Sequence, residues 1–142
     1  MSDPGGPHAA SLTEALRGGY EAFNRRDSRH LRELMVDDFQ WNESEQVPGR
    51  KVCRSAEEFL AYMEGFDQLW DEFAFEPLEF RVASEDTVVA AVRGMGRGKA
   101  SGVPFDLTIH HVWRFRGGRV ARMDAFLDAR EAADEAGLRP GD

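Results

Sequence analysis

Three side chains in this sequence have the types and spacing that proton transfer requires: Glu43, His111 and Asp124. Glu43 lies two residues beyond Trp41 and shares its parity, at the end of an alternating segment that runs into a polar stretch. A carboxylate at the mouth of an apolar hollow loses hydration and becomes more basic, which suits a general base. An exposed loop glutamate is the competing reading of the same position. His111 belongs to a long alternating segment in which Phe105, Leu107, Ile109, His111, Trp113 and Phe115 share one face. If the following hairpin closes on Gly117-Gly118, Phe115 faces Val120, Trp113 faces Arg122, His111 faces Asp124 and Ile109 faces Phe126. Asp124 would then fix the tautomer of His111 and raise its basicity. A purely structural pair is the alternative, and a one-residue change in the turn would bring His110 to Asp124 instead.

Aromatic residues at inward-facing positions supply the wall of such a hollow. Tyr20, Trp41, Tyr62, Trp113 and Phe126 are the candidates for touching a bound molecule, with Phe59 and Phe66 as core beside them. Arg122, opposite Trp113 in the same register, either anchors an anionic or carbonyl ligand or stacks on the indole. No metal site is expected, because nothing in the spacing of one histidine and two acids demands one and Cys53 is the sole cysteine. No cofactor is expected either.

The elements that must place these residues can be read from capping signals and periodicity. Ser11-Leu12-Thr13-Glu14 forms a capping box, so a helix is expected from there to about Asn24 with Leu12, Leu16, Gly19 or Tyr20, and Phe23 on its apolar stripe. Asp27 caps a second, short helix with Leu31, Leu34 and Met35 inward, ended by Asp37-Asp38, before Phe39 and Trp41 alternate as a strand. Residues 43–54 read as a polar loop turning at Pro48-Gly49. Ser55-Ala56-Glu57-Glu58 is a second capping box, behind which Phe59, Tyr62, Met63, Phe66, Leu69 and Trp70 keep helical period. The remainder reads as β, with a register change at Pro77, a buried strand from Thr87 to Val92, glycines at 94, 96 and 98, and the Gly117-Gly118 hairpin. Asp128 caps a last helix that stops at Gly137. Helices gathered on one side of a four-stranded antiparallel meander make an α+β domain over 11–138, with tails at 1–10 and 139–142.

Composition narrows the partners. A chain of 142 residues has room for one core, and its net charge of −8 repels phosphate backbones and anionic lipid headgroups, so neither nucleic acid nor a membrane surface is an expected partner. No apolar run reaches the roughly 20 residues needed to cross a bilayer. The single cysteine and an opening without basic or apolar regions fit the cytoplasm.

The segments Tyr20–Asp27, Asp37–Trp41, Gly96-Arg97-Gly98 with Ser101-Gly102-Val103, His111–Val120 and Asp128–Leu138 together resemble the SnoaL-like branch of the nuclear transport factor 2-like superfamily. The resemblance implies a cone-shaped roll, often dimeric, with helices on a curved antiparallel sheet and a pocket between them. It extends to polyketide cyclases, ketosteroid isomerases and dehydratases, so it does not fix a reaction. Laid on ketosteroid isomerase, Glu43 falls at the general-base carboxylate and His111 at the acid of the oxyanion hole, while that family's helix tyrosine falls at Gly19, next to Tyr20. The expectation is a cofactor-independent isomerase, cyclase or dehydratase that moves a proton next to the carbonyl of a small, mostly apolar compound. A non-catalytic carrier of a small hydrophobic molecule and a dimeric interaction module are the rival readings.

Overall fold

A computed structural model describes residues 7–46 and 49–138. Helix α1 (Pro7–Arg25) lies against a six-stranded sheet, followed by α2 (Ser28–Leu34), β1 (Met35–Glu43), β2 (Val52–Cys53), α3 (Ala56–Glu64) and α4 (Phe66–Leu69). Then come β3 (Trp70–Ser84), β4 (Thr87–Gly98), β5 (Pro104–Arg116), β6 (Arg119–Phe126) and α5 (Ala129–Ala136). The strand order is β2-β1-β6-β5-β4-β3, antiparallel except where β1 runs parallel to β6.

Helix α1 starts before the Ser11–Glu14 capping box, and His8 within it lies 2.7 Å, Nε2 to O, from the Glu85 carbonyl. Residues 7–10 of the anticipated tail at 1–10 are therefore helical, while residues 1–6 and the anticipated tail at 139–142 lie outside the described residues. The C-terminal end of α1 is fastened to β3 by Asn24, whose side chain both donates to Phe75 O and accepts from Phe75 N at 2.9 Å. That amide takes the place of a neighbouring strand where the sheet edge would otherwise leave backbone groups open.

Met35 begins β1 rather than ending α2, and Asp37 and Asp38 are exposed strand residues within it. The helical period expected to run to Trp70 is interrupted at Gly65, which caps α3; a single turn follows and Trp70 opens β3. The glycine gives no side chain to the helix face and weakens helical propensity at that point. The stretch after Glu43 is not wholly loop, since Val52 and Cys53 pair with Asn42 and Trp41.

The core fills the concave side of the sheet with residues of α1, α2, α3 and the inward faces of the strands, including Leu16, Phe23, Phe39, Met63, Val92 and Met123. The helices do not all lie there. Helix α5 covers the convex side, where Ala132 packs with Val89 and Val112, and Phe126 packs against them.

Candidate functional site

Glu43 ends β1 on the concave side, as its shared parity with Trp41 requires. Its Oε2 accepts from Trp41 Nε1 at 2.8 Å and from the Tyr62 hydroxyl at 3.0 Å, and its Oε1 accepts from the Lys51 backbone N–H at 2.9 Å. The carboxylate is thus fixed by one donor from its own strand, one from α3 and one from the chain leading into β2. Burial, with the Glu43 charge next to it, pushes the Tyr62 hydroxyl well above the ordinary tyrosine range, so it stays a proton donor.

His111 is 1% exposed, on the same concave side. Tyr20 Oη lies 2.7 Å from its Nδ1, and Trp113 Nε1–H donates to that same hydroxyl oxygen at 2.8 Å. Among the hydrogen bonds of the described residues the phenol hydrogen has no acceptor other than Nδ1, so it goes there, which makes His111 the tautomer with its proton on Nε2. Tyr20 and His111 stack with centroids 5.8 Å apart, and Phe75, Trp41 and Trp113 close the remaining sides at 5.4, 5.4 and 5.8 Å. Burial in this aromatic shell, helped by the adjacent His110, pushes His111 down to about 3, so the ring is neutral at physiological pH. Burial likewise raises Tyr20 far above the ordinary tyrosine range, even though the Trp113 bond acts the other way.

Trp41 joins the two groups: its indole N–H holds Glu43 while its ring lies edge-on to His111. A narrow cavity opens on the other side of Tyr20, Trp41 and Trp113, bounded by Leu16, Leu34 and Met35. Its volume is about 30 Å³, room for about two waters. Neither Glu43 nor His111 lines it.

The expected His111–Asp124 contact is not made. Phe115 does face Val120, but Arg114 pairs with Arg122, Trp113 with Met123, Val112 with Asp124, and His111 with Ala125. The extra residue in β6 is Ala121, a bulge that turns every later side chain of the strand to the opposite face. Asp124 therefore stands on the convex side, held by Arg122 through Nε to Oδ2 at 2.8 Å and Nη2 to Oδ1 at 3.1 Å. Arg122 does not reach Trp113, and Phe126, paired with His110, packs under α5 instead of walling the hollow. Of the nine residues singled out from sequence, Glu43, His111, Tyr20, Trp41, Tyr62 and Trp113 come together and Asp124, Arg122 and Phe126 do not. Phe75, not among those nine, also packs on His111; the only mark of it in the sequence is that it shares parity with Phe73, which it contacts edge-on. Among the described residues no group of three or more His, Cys, Asp or Glu could hold a metal ion.

Comparisons with known proteins agree with this architecture. The SnoaL-like domain model matches residues 16–123. An NTF2-like protein of unknown function from Burkholderia pseudomallei superposes with a TM-score of 0.71 at 23% identity, covering 87% of this chain and 95% of its own. A candidate SnoaL-like polyketide cyclase from a Jannaschia species gives 0.75 at 16% identity, covering 98% and 100%. A Catenulispora acidiphila protein with a ketosteroid isomerase-like fold, solved with trimethylamine, gives 0.71 at 14% identity, covering 89% and 94%. No curated protein matches by sequence. With a family match over most of the chain and the same fold in its structural neighbours, this protein belongs to the SnoaL-like domain family of NTF2-like folds.

Proposed function

We propose that the chain takes a small, mostly apolar carbonyl compound into its concave side and moves a proton at the carbon next to the carbonyl. Glu43 takes that proton, the C–H electron pair becomes the new C=C bond, and the carbonyl π pair moves to oxygen as an enolate. His111, neutral and protonated on Nε2, donates to that oxygen. Glu43, whose carboxyl proton exchanges with water at the rim while the enolate stands, then gives a proton back to the substrate, so no outside acid or oxidant is needed. The reading rests on one observation: a carboxylate fixed by three donors and a neutral imidazole flank the same indole, Trp41, on the same side of the sheet. For a ligand to reach Nε2, one ring of the His111 shell must turn aside. Turnover of a panel of small ketones by wild type and Glu43→Gln tests it: loss of about 10²–10⁴ in rate with binding retained supports the reading, and unchanged turnover excludes Glu43 as the base.

The cavity favours a second reading. It is apolar and touches Tyr20, Trp41 and Trp113 but not Glu43 or His111, so a small hydrophobic molecule that widened it would be held away from both proton-transfer groups. Saturable binding with no chemical change across the panel decides for it.

A further inference from the structure

One cation beside Glu43 has no part in the reaction above. Glu43 N donates to Lys51 O at 3.0 Å, one position beyond the pairs Asn42–Val52 and Trp41–Cys53, so Lys51 is the antiparallel partner of Glu43. Directly opposed residues of such a pair carry their side chains on one face. Lys51 Nζ accordingly lies 5.8 Å from the centroid of the Tyr62 ring, whose hydroxyl holds Glu43. The side chain is exposed and, among the described residues, takes part in none of the ion pairs, Glu43 included. In a chain of net charge −8, this sets a positive charge at the rim next to the base. Arg50 reinforces it, its Nε donating to the Glu43 carbonyl oxygen at 2.9 Å.

We infer that Lys51 receives an anionic group of the substrate, so that the compound acted on is a carbonyl compound carrying a carboxylate a few bonds from its reacting carbon. This rests on Glu43 being the base. A lysine ammonium is a compact charge with three donors on a flexible stem, and the face of Tyr62 orients it without neutralising it. The carboxylate stays at the wet rim, where little desolvation is required, while the apolar part of the molecule enters toward Trp41.

The test compares 2-hexanone with 5-oxohexanoate, binding followed by NMR titration of the full chain at low salt. Lys51 and Lys99 are the two lysines, so Lys99→Met is the matched control. Wild type and Lys99→Met should bind the carboxylate about three- to fivefold more tightly than the neutral ketone, the range of a well-placed exposed ion pair, and Lys51→Met should lose that preference. Added salt should erode it. Equal binding of the two compounds by wild type, or a preference that survives in Lys51→Met, overturns the inference while leaving Glu43 untouched. If neither ketone binds wild type, the small-molecule reading fails, and this inference with it.

Discussion

The hydroxyl of Tyr20 in α1 and the Nδ1 of His111 in β5 are 2.7 Å apart between two buried residues, although 91 positions separate them in the chain. With Trp113 donating to the same oxygen, the three side chains form a directed row that ends on the imidazole. This row decides what His111 can do: it donates from Nε2 and does not serve as a base.

The first prediction follows from the depressed value of about 3. The unfolded chain protonates this ring near 6.5, so between that value and about 3 the folded state binds fewer protons and loses stability as pH falls. The contribution is complete above pH 6.5 and declines by about 1.4 kcal/mol per pH unit below it. Urea unfolding at pH 7, 6 and 5 should show this slope in wild type, and His111→Leu should lack that component. Nitrogen-15 NMR at neutral pH should show a protonated Nε2 and an unprotonated Nδ1.

Tyr20→Phe removes the only atom shared by the row. It leaves the Trp113 indole N–H and His111 Nδ1 without their partner in a buried site, a loss of about 1–3 kcal/mol. The midpoint of chemical denaturation should fall with its slope unchanged.

Asp124→Asn separates the expected site from the observed one. Asp124 pairs with Arg122 on the convex side, so the substitution should leave the His111 nitrogen spectrum unchanged and any ketone turnover within about twofold of wild type. A role as orienter of His111 would instead cost about 10²-fold or more.

Gly96→Ala tests how tightly β3 and β4 approach. An added Cβ would lie 2.9 Å from Phe73 Cδ2 and 3.2 Å from Phe73 Cα, and the second of these is backbone that cannot turn away. Overpacking of this kind costs about 1–3 kcal/mol, measurable as a lowered melting temperature.

Much of the concave site is legible in sequence because its members obey simple periods. Trp41 and Glu43 share strand parity, His111 and Trp113 share strand parity, and Tyr20 sits on the apolar stripe of its helix, so their common side follows from patterning. The hairpin turn is equally plain: Gly117 and Gly118 have φ of 61° and 81°, which only the absence of a Cβ makes easy. What could not be read is Ala121. A bulge at an alanine carries none of the glycine or proline marks that reveal such sites, yet it moves Asp124, Arg122 and Phe126 to the far face. The parallel pairing of β1 with β6 is illegible for another reason, since it joins segments some 80 residues apart with no local signal of which edge they share.

The most direct measurement of the central claim is hydrogen–deuterium exchange at the carbon next to the carbonyl of a bound ketone, followed by proton NMR in D₂O. It registers proton removal itself, whatever the final product. Exchange well above the buffer rate with wild type, falling at least about 10²-fold in Glu43→Gln, is the predicted result. Equal exchange in the two proteins, or a ketone that binds wild type saturably and exchanges no faster than in buffer, would contradict it.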